Sequence, residues 1–181
     1  MRKIILNLAI SLDGFISDND GGFDWIRGQD DSSTDTKDRF DYDDFLQKID
    51  TIVMGSKAYE DAVLTNLDTY SDKEIIVATT RDLEKRENVV FIQGDITKEI
   101  LDLKEKEGKN IWLFGGGILT EPFIKKDLVD EYIIGIIPTI LGNGRSLFKG
   151  NHDKIDLHLE EVTVNDGIVI LIYRRRKIKS V

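Results

Sequence analysis

The chain has 181 residues, 40% hydrophobic and 33% charged with two prolines, which suits one folded domain and excludes disordered and fibrous classes. Its formal net charge of −9 argues against a nucleic-acid or anionic-membrane partner, because polyanions are held by basic surfaces. With no cysteine, disulfides, thiolate catalysis and thiolate metal sites are excluded together, and a cytoplasmic setting is the expectation.

The first segment, "KIILNLAIS" (3–11), is apolar almost throughout, as expected of a strand buried on both faces. Its apolar run breaks at Asp13 and Gly14 without a small-residue cleavage site, and no stretch reaches the roughly 18 residues that span a bilayer. The polar stretch from Asp18 to Asp38 reads as the longest loop, of the kind that is functional or mobile in compact domains. In "DYDDFLQKID" (41–50), Tyr42, Phe45, Leu46 and Ile49 stand at helical spacing, and "TIVMG" (51–55) predicts a strand.

The alternation continues with a helix over 56–63 and strands at "KEIIVATT" (73–80) and "NVVFIQ" (88–93). A helix over 97–108 is expected to be capped by Thr97 and Gly108. Next come the strand "NIWLF" (110–114) and a helix near 117–126. Such alternation predicts a mainly parallel sheet with helices on both faces. The ending differs: a long strand over 128–140 precedes two strands joined at Asn165, Asp166 and Gly167, a hairpin signal. The expected fold class is therefore α/β, a mixed sheet of about eight strands whose parallel core is closed by antiparallel C-terminal strands. The basic run "RRRKIK" (174–179) reads as the last strand passing into a solvated tail.

Parallel sheets bind ligands beyond the carboxyl ends of their strands, and three of those ends are informative. Gly115, Gly116 and Gly117 follow "NIWLF" at a helix start, either as a tight packing turn or as a bare approach for a phosphate to exposed N–H groups. Gly55 and Ser56 lead into a helix with Lys57 in its first turn, either a solvated lysine or one that offsets a bound anion. Thr79, Thr80 and Arg81 end a strand with donors suited to a phosphate monoester. Together they point to a ligand with separated phosphates. Neither the G-x-G-x-x-G dinucleotide fingerprint after the first strand nor the phosphate loop G-x-x-x-x-G-K-[ST] is present.

The ordered segments "LAISLDGFIS", "VMGSKAYE", "VATTR" and "FGGGILTEPF" resemble dihydrofolate reductase. More closely they resemble the dihydrofolate-reductase-like reductase domain, RibD C-terminal, of riboflavin biosynthesis proteins, a branch that "IPTILGNGRSLF" (137–148) favours. The resemblance covers about residues 3 to 175 and implies a single domain and an NADPH-dependent oxidoreductase acting on a small heterocycle, pterin-like or a ribosylaminopyrimidine. It implies that Ala9 and Ile16 hold the nicotinamide carboxamide and that Gly55, Ser56 and Lys57 lie near the adenosine phosphates. Thr79, Thr80 and Arg81 would meet the ribose 2'-phosphate. Gly115 and Gly116 would be joined by a cis peptide, with Gly117, Ile118, Leu119 and Thr120 under the pyrophosphate. A homodimer is also implied.

For the substrate, Trp25 resembles a tryptophan flanking the folate site, and Asp44, beside Phe45 at a helix start, is the preferred proton donor, though such an aspartate also serves as a cap. No catalytic residue is assigned. His152 and His158 have no companion ligands, so no metal is expected. The sequence has no zinc-deaminase signature, which makes a riboflavin-pathway role less secure, and because no clean proton donor stands out, a non-catalytic NADP-binding or regulatory module is the alternative.

Overall fold

The computed structural model describes residues 1–65, 67–84, 86–150 and 152–176. An eight-stranded sheet runs β5-β4-β3-β6-β1-β7-β10-β9, where β1 is Ile4–Ser11, β3 is Ile49–Gly55, β4 is Glu74–Ala78 and β5 is Val89–Ile92. The other members are β6 (Asn110–Gly115), β7 (Glu131–Ile137), β9 (Leu157–Asn165) and β10 (Ile168–Arg175). All neighbours from β5 to β7 pair in parallel, and β10 runs antiparallel to both β7 and β9. β1 is paired on both edges, which accounts for its nearly continuous apolar run.

Pleating sends alternate residues to two cores. Ile4, Leu6, Val53, Ile111 and Leu113 face one core with Ile96 and Ile100 of α3 (Ile96–Lys104) and Leu119 and Phe123 of α4 (Gly117–Lys125). Ile5, Ile52, Met54 and Trp112 face the other with Phe45 of α1 (Tyr42–Gln47) and Tyr59 and Ala62 of α2 (Ser56–Thr65). Helices therefore cover both faces. Full burial of a side chain such as Phe123 contributes about 1.5–3 kcal/mol.

At the amino ends of the strands, polar pairs close the sheet. The buried Arg2 guanidinium binds Asp50 and also donates to Thr51 Oγ1 and the Lys109 carbonyl at 2.6 Å each. Lys104 Nζ meets Asp130 Oδ2 at 2.6 Å, and the same oxygen accepts from Ile4 N. The opposite edge, at the carboxyl ends, is left open.

Several expected boundaries move. α3 begins at Ile96 with Asp95, not Thr97, as its cap, because the Asp95 carboxylate reaches Thr97 N at 3.0 Å. It stops at Lys104 with Glu105 as C-cap; Gly108 stands beyond it at φ 153. β7 is shorter than 128–140, ending before Pro138, which has no N–H to give the ladder. Two short strands, β2 (Phe15–Ser17) and β8 (Arg145–Ser146), pair as a second sheet that the local pattern did not signal. The hairpin turns at Asp166 and Gly167 with φ 52 and 75, the left-handed pair that a two-residue turn requires. Residues 177–179 of the basic run lie outside the described residues, while Arg174 and Arg175 pair with Glu160 and Asp127.

Candidate active site

A cleft of about 1560 Å³ follows the open carboxyl edge of the sheet. Every parallel strand contributes to it: Ala9 from β1, Gly55 from β3, Ala78 from β4, Ile92 from β5, Gly115 from β6 and Ile137 from β7. Of the candidate cofactor residues, Ala9, Ile16, Gly55, Ser56, Lys57, Thr79, Thr80, Gly115, Gly116, Gly117, Ile118 and Leu119 all line this one space. Arg81 and Thr120 do not.

One half of the cleft is built from backbone. α2 and α4 both begin in it, and the N-cap of α4, Gly116, offers no side-chain cap, leaving the first amides of the helix aimed outward. Gly115 and Gly116 carry φ of 116 and 93, and a Cβ on Gly116 would meet nothing within 4 Å. A Cβ on Gly117 would instead lie 2.6 Å from the Ser146 carbonyl oxygen. The triplet thus answers to both physical demands at once, close packing at Gly117 and a bare surface at Gly116. The expected cis bond is not found: among the described residues no peptide is cis, and two successive positive φ angles turn the chain instead.

The cations around this half are partly engaged. Lys57 Nζ lies 3.3 Å from Asp61 Oδ1, one helical turn on, and Arg81 pairs with Glu60 at 2.9 Å outside the lining. The Thr79 hydroxyl accepts from Arg81 N at 3.0 Å, which bends the chain away from β4. Thr120 is fully buried, its hydroxyl 3.4 Å from the Gly116 and Gly117 carbonyls. Arg145 and Lys149 also line the cleft, and neither has an ion pair with a described residue. They were not singled out in the sequence, since single cations in the two-residue β8 and just after it have no periodic signal.

The other half is aromatic. Trp112 of β6 is buried, and its ring meets Tyr42 and Tyr70 edge-on at 6.1 and 5.7 Å and Phe114 at 4.8 Å. Its indole N–H donates to the Asn7 carbonyl at 2.9 Å. The Tyr42 and Tyr70 hydroxyls are hydrogen bonded at 3.0 Å. Burial above all, then the Tyr70 hydroxyl, pushes the Tyr42 phenol well above its ordinary value, so it remains protonated throughout the usual pH range. The carboxamide of Asn7, in the middle of β1, lines this half with Nδ2 enclosed and without a partner. An unsatisfied buried donor costs about 1–3 kcal/mol, so its presence calls for a reason.

The candidate substrate residues fall elsewhere. Phe45 is buried behind the cleft, 5.2 Å from Trp112. Trp25 is buried in the loop with Nε1 donating to Gly22 O at 3.2 Å, while its neighbours Phe23 and Ile26 line the cleft. Asp44 is exposed, bound to Lys48 at 2.5 Å, and does not line the cleft. Its place in the first turn of α1, beside the Asp41 cap, is the helix-start role that the same sequence also allowed. Among the described residues that line the cleft, Asp61 is the one carboxylate, and it stands beside Lys57.

The RibD C-terminal domain family matches this chain over residues 2–66 and 60–171. The YwjB protein of Bacillus subtilis (strain 168) is 38% identical over 164 residues, spanning 88% of this chain and 90% of its own. A Shewanella sp. PV-4 protein assigned to riboflavin biosynthesis superposes with a TM-score of 0.79 at 27% identity, over 98% of this chain and 100% of that one. Dihydrofolate reductase from Enterococcus faecalis, solved with NADP(H), superposes with a TM-score of 0.65 at 16% identity over 97% of each chain, a likeness of fold.

Proposed function

This chain belongs to the RibD C-terminal domain family, and from that premise we propose that it is an NADPH-dependent reductase of a small conjugated heterocycle. The observation that carries the reading is the division of one cleft into two halves. Helix N-termini, bare glycines and Lys57, Thr79 and Thr80 occupy one half, and an aromatic chamber occupies the other. The first half has the donors a dinucleotide's separated phosphates require, and the open space over Gly116 admits a pyrophosphate that a side chain would block. Bound there, a reduced nicotinamide supplies a hydride. The chain's own residues hold the ring of the substrate against the wall that Trp112, Tyr42 and Tyr70 form together and keep water from its face. The substrate is pterin-like or a ribosylaminopyrimidine of the 5-amino-6-(5-phosphoribosylamino)uracil type.

The 2'-phosphate falls to Thr79, Thr80 and Arg81, with Arg81 turning from Glu60 toward the ligand. Arg81→Ala should raise the dissociation constant for NADPH about tenfold while leaving NADH nearly unchanged, as read by fluorescence titration. Equal losses for both nucleotides would remove the 2'-phosphate assignment, and failure of the wild type to bind either would remove the reading.

A second reading, a nucleotide-binding module without turnover, is favoured because the one carboxylate among the described residues that line the cleft, Asp61, is paired with Lys57. NADPH binding without oxidation across a panel of pterins and pyrimidine ribosides would select it. A homodimer is part of the main reading, supported by apolar side chains left exposed on β9.

A further inference from the structure

We propose that Asn143 is a site of spontaneous covalent modification: its carboxamide closes onto the backbone nitrogen of Gly144 and reopens as aspartate or isoaspartate, loosening the rim of the cleft that Gly144 and Arg145 line. No ligand enters the reaction, so the inference stands apart from the reductase reading. Of the asparagines in the chain, Asn143 is the one that precedes a glycine. It lies in the segment "LGNG" between β7 and β8, exposed to solvent, with Gly144 half-buried beside it. Asparagine is among the thermally labile residues, and a following glycine puts no side chain in the path of attack.

The side chain already lies over the atom it would meet. Asn143 Oδ1 accepts from Gly144 N at 3.0 Å, and because that N–H is a donor, the carboxamide end facing it is the carbonyl. The carbon under attack is one bond from that oxygen. Gly144 N has no backbone acceptor among the described residues, so this contact alone holds its proton, and solvent reaches it at the exposed Asn143. A Cβ on Gly144 would lie 2.3 Å from the Ser17 carbonyl oxygen, so the close approach of β2 demands the glycine. Nothing comparable demands the asparagine, whose side chain bonds no other described residue.

The atoms balance within the chain and water. Gly144 N, losing its proton, bonds to Asn143 Cγ; the Cγ–Nδ2 bond breaks, and Nδ2 leaves as ammonia, closing a five-membered imide. Water then opens the ring. Attack at Cγ restores the ordinary backbone as aspartate, and attack at the backbone carbonyl routes the chain through Cγ as isoaspartate. Either product adds a negative charge two residues from Arg145, and isoaspartate also adds one carbon to the backbone. The segment is pinned on both sides of that carbon. Asp13 holds Leu141 N and Gly142 N at 3.1 and 2.7 Å, and Arg145 pairs with Ser17 across the β2–β8 ladder. The inserted atom therefore displaces one of these contacts.

The test ages the whole chain in warm, mildly alkaline buffer, folded and, in parallel, unfolded in guanidinium, and reads each asparagine by peptide mass mapping. Folded wild type should gain one mass unit at Asn143 an order of magnitude faster than at Asn19 and Asn165, which are also exposed but precede aspartate. Trypsin should then cut the folded, aged protein after Arg145 severalfold faster than fresh protein, in step with its isoaspartate fraction. Asn143→Gln, whose longer side chain closes poorly, should stay intact and keep the fresh rate. Asn143→Asp, tested fresh, carries the charge without the inserted carbon and should also keep it. Thermal melts report whether each variant folds, and the aged wild type needs neither variant. A mass gain confined to the unfolded chain, or spread equally over the three asparagines, overturns the site. Conversion at Asn143 with cleavage after Arg145 unchanged overturns the loosening of the rim.

Discussion

A methyl group on Gly117 would press within 2.6 Å of the Ser146 carbonyl oxygen, whereas one on Gly116 would point into open cleft. Gly117→Ala should therefore destabilise the fold by about 1–3 kcal/mol in urea denaturation, since backbone at that distance has to move. Gly116→Ala meets no atom but must hold φ 93, which costs about 1–2 kcal/mol, and it should also weaken NADPH by filling the space over the helix start. Equal NADPH affinity in Gly116→Ala and wild type would show that the ligand does not approach there. Three glycines in a row were enough to signal a close approach to the backbone. Which glycine serves packing and which serves the cleft depends on Ser146, brought in from another strand. Asn7 is the converse case, since nothing in "KIILNLAIS" separates an amide that faces a cleft from one that faces a helix.

At the scale of elements, α3 shows how a cap converts sequence into a boundary. The Thr97 hydroxyl, and after it Lys126, holds the Asp95 carboxyl down at about 2, below the ordinary 3.8. A depressed folded value means the carboxylate's contribution is complete above the unfolded value near 3.8 and is lost as pH falls through 2. Asp95→Ala should lower Tm by a few degrees at pH 7, and the deficit should shrink as pH is taken from 4 to 2. A deficit independent of pH over that range would show that the carboxylate charge plays no part. Periodicity found this helix but put its cap two residues late, because Thr97 and Asp95 are both good caps and only the geometry decides which side chain reaches the free amide. β2 and β8 gave no comparable signal. They are too short for a pattern and exist because each satisfies the other across the chain. Asp13 secures that region, accepting from Leu141 N and Gly142 N at 3.1 and 2.7 Å, and so ties the loop after β7 to the turn after β1.

At the scale of the whole molecule, β9 forms one edge of the eight-stranded sheet. Leu157, Leu159 and Val162 of β9 are 36%, 44% and 44% exposed. A register shift between Ile172 and Tyr173 keeps Leu159 and Val162 on one face, paired with Tyr173 and Leu171. If this face joins two copies, the wild type should sediment at twice the chain mass, and Val162→Lys should yield monomers that still bind NADPH. A monomeric wild type at micromolar concentration would remove the homodimer. What the sequence determined by itself is whatever a short window contains: strand and helix order, the Asp166–Gly167 turn, and the strand ends where anions could dock. Tertiary structure alone decided which side chains meet there. It excluded Asp44 from the cleft, withdrew Arg81 to Glu60 and set Asn7 against Trp112. The reason is physical: hydrophobic period and turn chemistry act between near neighbours along the chain, whereas a site is made by side chains that only the packed sheet brings within hydrogen-bonding reach.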